Sequence, residues 1–388
     1  MAKYLKFFTN RIFVIGIWFG LSFFAILKQA LHQHINNYQI YKYTFINLVR
    51  QIDLYAPQPK FFEDSNHYGP IFGLIIAPFT LFPDVVGSVL WVMANAWILY
   101  QAILMLPFTA QQRNAVLLIC AHELMTAAFN AQFNPMMTAL IVLSYVFIKR
   151  KNNFWAAFTI VLGSYIKLYG VVGLAFFFFT DNKLKFIFSL IFWGIVLFAL
   201  PMVVSSPGFV MQSYYDWYMS LAEKNASNAM STMQDISVMG MIRRIFRYPQ
   251  LSNLFVLLPG LALFATAYLR YKSLGQKAYQ LLLLSSVLIF TVIFSTGSES
   301  PTYIIAFVGV GIWFMNLPRP VTNFEIGLLV FALLVTSLSP SDLFPKYINR
   351  QYIKPYALKA LPCFIIWLKI VYEILTRKFD REPVLAAA

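Results

Sequence analysis

Apolar runs close to membrane-spanning length recur from one end of the chain to the other. They cover residues 12–27, 84–106, 186–204, 278–295 and 321–338, the pattern of a polytopic α-helical membrane protein. Basic residues punctuate them. Lys149-Arg150-Lys151, Lys183 with Lys185, Arg270, Lys272 and Lys277, Arg319, and Arg377-Lys378 with Arg381 mark the cytoplasmic side by the positive-inside bias, and Arg113 does so more weakly. Threading the chain between these markers predicts spans over 114–130, 135–148, 186–204, 252–269, 278–296, 303–316, 321–338 and 361–376. Lys3, Lys6 and Arg11 precede the first run, and Lys28 and Gln29 follow it where a signal peptide would carry a small-residue cleavage site. A retained first helix with a cytoplasmic N-terminus is expected.

Two segments resist simple spans. Segment 154–180 has inside markers at both ends, yet two crossings of a core about 30 Å thick need about 40 residues. Two short helices meeting at Lys167-Leu168-Tyr169-Gly170 on the outer side resolve the conflict. Segment 70–83 is short and bounded by Pro70 and Pro83, as expected of an element that enters from the outer side without crossing fully. About 11–12 transmembrane or half-membrane helices result. The outer face collects 32–69, 206–248 and 339–360 as its three large loops, with shorter ones at 130–135, 167–170 and 297–302.

Composition agrees. Of 388 residues, 60% are hydrophobic and only 12% charged, against about a quarter charged in a soluble protein. No polar block is long enough for a separate soluble domain, so residues 1–388 read as a single integral-membrane domain. The net charge of +15 comes without any basic–aromatic module and is not a nucleic-acid signal. Cys120 and Cys363 both lie in apolar segments and read as packing residues. Ala386-Ala387-Ala388 reads as a cloning remnant.

In so apolar a chain, polar clusters stand out. Phe62-Glu63-Asp64-Ser65-Asn66-His67-Tyr68-Gly69-Pro70 sits just before a membrane segment. Asp64, Glu63 or His67 there can act as a general base, whereas a loop acid is otherwise merely solvated. Tyr68-Gly69-Pro70 reads as structural, with Gly allowing close approach and Pro starting a helix. Tyr38, Tyr41, Phe45, Leu48 and Ile52 form a packing stripe at helical spacing, and Asn36, Asn37 and Gln39 at its start can hold sugar hydroxyls.

Asn130-Ala131-Gln132-Phe133-Asn134-Pro135 places three amides in five residues, to bind hydroxyls or to cap helices. Lys167 lies in an apolar stretch beside Tyr165 and Tyr169, where a lysine snorkels or holds an anion. Glu299, in Ser295–Tyr303, is a second candidate acid or sugar ligand. Ser339–Pro345 reads as a turn and cap. Outer Arg243, Arg244, Arg247, Lys346, Arg350 and Lys354 oppose the usual charge bias. They suit a phosphate at the outer interface, or head groups along amphipathic interfacial helices.

His122-Glu123 lies within a span, with Thr126 where a zincin would need a second histidine, and it reads equally as a brace between helices. His32 and His34 lack further metal ligands, and no metal site is expected. No glycine-rich phosphate loop and no Asp-X-Asp pair supports a soluble nucleotide-sugar donor, and no internal repeat points to a transporter.

The pattern resembles glycosyltransferase family 87, polytopic enzymes of the GT-C fold. The resemblance rests on the large first outer loop, His67-Tyr68-Gly69-Pro70-Ile71-Phe72-Gly73-Leu74 leading into Ala77–Pro83, Trp91 and Asn95, the Ala131–Asn134 turn, and Ile166-Lys167-Leu168-Tyr169. The loops at Glu299-Ser300-Pro301 and Ser339–Pro345 look like a Bacteroidetes-type branch. The resemblance implies an inverting, metal-independent transfer of a sugar, often mannose, from a polyprenyl-phosphate donor to a glycan or glycolipid acceptor. That places the protein in the bacterial inner membrane, with membrane lipid around it, no cofactor and no nucleic-acid partner.

On this reading Asp64, Glu299 and His67 are the catalytic candidates. Lys167, Arg243, Arg244, Lys346 and Arg350 hold the donor phosphate. Asn37, Glu63, Tyr68, Asn130, Gln132 and Asn134 hold sugar or acceptor. Two departures matter. Family members commonly carry an aspartate where Asn37 stands, and often a histidine pair near Glu299-Ser300-Pro301, where this chain has none. A neutral amide takes no proton, so the base moves to Asp64, Glu63, His67 or Glu299. A transporter or flippase of a lipid-linked saccharide is the alternative; it needs a polar path to the inside, hinted at only by His122-Glu123 and Glu325.

Overall fold

The structure, a computed structural model, describes residues 10–228, 231 and 233–379. Lys3, Lys6, Arg381 and the closing alanines lie outside the described residues. The protein is an all-α polytopic membrane protein, with no strand among the described residues. Arg11–Leu31, Asp84–Leu104, Lys183–Val203 and Leu254–Ser273 are long and apolar enough to cross a membrane. Shorter apolar helices follow at Asn134–Lys149, Asn153–Ile166, Leu168–Phe179, Lys277–Ile293, Ser300–Met315 and Asn323–Leu338. The hydrophobic pattern predicts each of these within a few residues.

The contacts divide the chain into two compact units, one of Met1–Val14, Pro107–Glu123 and Ser227–Ala388, the other of Ile15–Leu106 and Leu124–Ala226. In the second unit the first loop is a docked element. Helix Asn36–Arg50 packs on Phe72–Thr80, which packs on Asp84–Leu104. Lys42 Nζ meets Asp84 Oδ1 at 2.7 Å, Gln39 Nε2 donates to Asp84 Oδ2 at 2.8 Å, and the Tyr38 hydroxyl donates to the Phe79 carbonyl at 2.9 Å. Of the predicted stripe, Tyr38, Tyr41 and Leu48 are buried and Phe45 is half-buried, whereas Ile52, past the helix end, is exposed.

The doubtful segment 154–180 is a helical hairpin. Asn153–Ile166 is α-helical, Lys167 is extended at φ −150° and ψ 125°, and Leu168–Phe179 runs back as a 3-10 helix. At 1.5 and 2.0 Å per residue the arms are about 21 and about 24 Å long, each short of a full crossing. Gly170 lets them touch, since a Cβ there would collide with the backbone of Gly163 and Ser164.

The expected outer loop 206–248 opens with a long helix, Pro207–Asn228. Ser206-Pro207 is its signal: Phe209 N donates to Ser206 Oγ at 3.4 Å, and Pro suits the first helical turn. Leu48, Leu54, Tyr55, Val210 and Trp217 form a shared core that joins this helix to the first loop.

The first unit is built round Ala360–Thr376, which contacts Lys277–Ile293, Tyr303–Met315, Asn323–Phe331 and Val238–Ile245. Lys277–Ile293 and Tyr303–Met315 are buried on nearly every face, as inner helices of a membrane bundle are. Trp367 Nε1 donates to Ser286 Oγ at 2.9 Å.

Candidate functional site

Six predicted residues from four separate stretches converge in the second unit. The turn between Ala110–Phe129 and Asn134–Lys149 is held by Ala131, left-handed at φ 48°, whose carbonyl accepts from Trp91 Nε1 at 2.9 Å. Asn37 Nδ2 donates to the Asn130 carbonyl at 2.8 Å. The Tyr41 and Tyr68 hydroxyls lie 3.1 Å apart, and Tyr68 donates to Gln132 Oε1 at 3.4 Å. Asn134 Nδ2 reaches the same oxygen at 3.4 Å, and Lys167 Nζ donates to Asn134 Oδ1 at 3.1 Å. The Lys167 ammonium also sits 4.5 Å from the Tyr169 ring centroid, a cation–π contact. One polar line thus runs from the first loop through the amide turn to the break in the hairpin. Its floor is aromatic, with Tyr68 stacked on Phe72 at 4.6 Å and Trp91 on Phe133 at 6.2 Å.

The acidic run is strapped to this line. Gly69 N donates to the Ile166 carbonyl at 3.1 Å, and the Tyr55 hydroxyl to the Tyr68 carbonyl at 3.1 Å. Trp217 Nε1 donates to the His67 carbonyl at 2.9 Å. Glu63 is tied by its backbone: Asn36 Nδ2 donates to its carbonyl at 2.8 Å, and its amide donates to Asn36 Oδ1 at 2.7 Å.

Asp64 is 56% exposed through its side chain and left-handed at φ 72°, a backbone region that aspartate tolerates. His67 Nε2 stands 3.9 Å from Asp64 Oδ1, a charge-pair distance rather than a hydrogen bond, and Lys224 Nζ stands 3.4 Å from Asp64 Oδ2. His67 Nδ1 lies 2.8 Å from Ser220 Oγ. The His67 imidazole, then the Ser65 amide and the Lys224 ammonium, hold the Asp64 carboxyl well below the usual carboxylate range, while burial opposes them.

The remaining candidates lie in the first unit. Gln234 Nε2 donates to Glu299 Oε1 at 3.0 Å. Arg243, 3% exposed, faces Asp235 Oδ2 at 3.3 Å and donates to Asn253 Oδ1 at 2.6 Å through Nη2. Burial pushes the Asp235 carboxyl above its ordinary value despite that partner. Arg244 Nη2 donates to the Ser231 and Gln234 carbonyls at 2.7 and 2.9 Å. The Nη2 donors of both are directed into the protein's own oxygens, while Arg243 Nε and Arg244 Nη1 are buried with no hydrogen-bond partner among the described residues. Lys346, by contrast, is exposed and meets Asp342 at 3.0 Å; Arg350 is exposed as well.

Glu123, fully buried, pairs with Lys359 Nζ at 3.0 Å, and the same ammonium donates to Ser300 Oγ at 3.0 Å. Glu325 caps its own helix, its Oε2 accepting from Thr322 N at 2.9 Å, and faces Lys369 at 3.5 Å. Both acids that hinted at a polar path are engaged locally. Sequence reasoning took Tyr41 for packing alone and missed Ser220, Lys224 and Lys359, since each earns its place only through a partner distant in the chain.

The model of glycosyltransferase family 87 matches residues 66–296, more than half of the chain. The chain belongs to glycosyltransferase family 87. Family 87 membership makes the protein a glycosyltransferase. The matched stretch takes in His67, Tyr68, the amide turn, Lys167, Ser220 and Lys224; Asn37, Glu63, Asp64, Glu299, Lys346 and Arg350 fall outside it. No curated protein matches the chain.

Proposed function

We propose that this family 87 enzyme is of the GT-C type and transfers a hexose, with mannose favoured, from a polyprenyl-phosphate donor. The acceptor is a hydroxyl of a glycan or glycolipid on the extracytoplasmic face of the bacterial inner membrane. The observation that carries this reading is Lys167: a cation at the break of a short membrane hairpin, joined through Asn134 and Gln132 to Tyr68. Its ammonium contacts a neutral amide and an aromatic ring, an arrangement that suits a lipid-borne phosphate.

The acceptor oxygen bonds to the anomeric carbon on the side opposite the phosphate. The bond from that carbon to the phosphate oxygen breaks with its electron pair passing to the polyprenyl phosphate, and configuration inverts. The acceptor proton passes to Asp64. A weak base suffices, because the hydroxyl grows acidic as its oxygen bonds to an oxocarbenium-like carbon. Lys167 meets the charge that grows on the leaving phosphate. The amides of Asn37, Asn130, Gln132 and Asn134, with the Tyr68 hydroxyl, face the sugar and acceptor.

The test is transfer of labelled mannose from polyprenyl-phosphate mannose by membranes holding the full chain. Transfer is expected, reduced at least tenfold by Lys167→Met. Movement of an intact lipid-linked saccharide across proteoliposomes with no bond cleavage would overturn the reading.

A further inference from the structure

Segment Asp342–Tyr356 of the first unit combines features that the transfer chemistry above does not use. Lys346–Ile348 is α-helical and continues as a wider π-helical turn through Asn349–Ile353. Lys346, Arg350 and Lys354 recur every four residues and are all exposed. Four positions advance close to one turn in either geometry, so the three cations share a face. Asp342 is the one acid between Ser339 and Ala360, and its pair with Lys346 is solvent-exposed at both ends, which makes it weak.

The same stretch exposes rings and aliphatic side chains. Tyr347 is 68% and Tyr352 51% exposed, their rings 6.3 Å apart, and Leu343 and Ile348 are exposed too. The segment is nonetheless anchored: Ile353 and Ala357 are buried, and Asn349 Nδ2 donates to the Ser339 carbonyl. A docked helix that turns tyrosines and cations outward is suited to neither bulk water nor hydrocarbon. It suits the head-group layer, where tyrosine rings lodge and basic side chains meet lipid phosphates.

We infer that Asp342–Tyr356 is a docking surface for anionic phospholipid, with Lys346, Arg350 and Lys354 on the head-group phosphates and Tyr347 and Tyr352 at the level of the glycerol backbone. This goes beyond the transferase reading and assigns Lys346 and Arg350 to bulk lipid rather than to the sugar donor.

The full chain is reconstituted in nanodiscs of phosphatidylcholine, with and without phosphatidylglycerol. Thermal unfolding is followed, and retained phosphatidylglycerol is counted by native mass spectrometry. Phosphatidylglycerol is expected to stabilise the protein in a salt-sensitive way. Each of Lys346→Gln, Arg350→Gln and Lys354→Gln is expected to weaken retention about fivefold, and the triple variant to abolish the stabilisation. Three results would overturn the inference. One is equal retention by wild type and triple variant. A second is equal stabilisation by inorganic phosphate alone, which marks a free-anion site. The third is a raised KM for the lipid-linked donor in the triple variant, measured in phosphatidylglycerol-free discs, which returns these cations to the donor. Lys183→Gln with Lys185→Gln, exposed cations elsewhere, serves as the control, and an equal loss there also defeats it.

Discussion

The amide of Gly69 donates to the carbonyl of Ile166 at 3.1 Å, fastening the end of the acidic run to the residue before Lys167. A Cβ at position 69 would collide with the Tyr165 carbonyl oxygen. Gly69→Ala is therefore expected to lower stability by about 1–3 kcal/mol and to reduce transfer by more than that loss alone explains. Unfolding temperature and initial rate, measured on the same preparation, check it. A wild-type rate would mean that the strap does not set the site.

Asn37 Nδ2 donates to the Asn130 carbonyl at 2.8 Å, tying the first loop to the amide turn. A carboxylate has no proton to donate there. Asn37→Asp sets an acceptor against an acceptor and is expected to cost about 1–3 kcal/mol, more than Asn37→Ala. Thermal unfolding of the two variants gives the order. Transfer faster than wild type in Asn37→Asp would put the base at position 37 instead of 64.

Asp64 should remain ionised far into acid, because its neighbours hold its carboxyl below the ordinary range. The sign follows from linkage. A lowered carboxyl contributes stability above the unfolded value of about 3.9 and loses it only as pH falls through the lower folded value. Exposure keeps that contribution small. For activity, the acid limb assigned to Asp64 is expected below the usual carboxylate range. His67→Gln removes the first of the influences that lower it and moves the limb upward, whereas Asp64→Asn removes the activity. A pH–rate profile unchanged by His67→Gln would separate the two residues.

The buried Asp235–Arg243 pair invites a double-mutant cycle. Asp235→Asn keeps the side-chain oxygen that accepts from Ser237 at 2.7 Å and suits the left-handed backbone at φ 52°, yet leaves Arg243 uncompensated. The expected loss is about 3–5 kcal/mol, with part of it recovered on adding Arg243→Met. Additive losses in denaturant unfolding would show that the charges do not interact.

The spans were legible because apolar length and basic punctuation are local signals. So was the break at Lys167, where too few residues and a lone cation agreed. The helix Pro207–Asn228 was hidden by its mixed composition, although Ser206-Pro207 announced it. The candidate site was half legible. Amide-rich turns declare themselves, but Lys224 beside Asp64 and Lys359 beside Glu123 are separated from their partners by 160 and 236 residues. No periodicity encodes such pairs; they exist only once helices have packed. Arg243 shows the converse, a conspicuous cation whose partners, Asp235 and Asn253, lie within ten residues of it.

The hairpin Asn153–Phe179 bears on how the protein is made. Neither arm alone spans the hydrocarbon, and Lys167 between them resists burial. The two arms are therefore expected to enter the membrane together, paired where Gly170 lies against Gly163. Gly170→Leu should then appear first as a failure of membrane integration during synthesis, readable by glycosylation mapping before any enzyme is assayed.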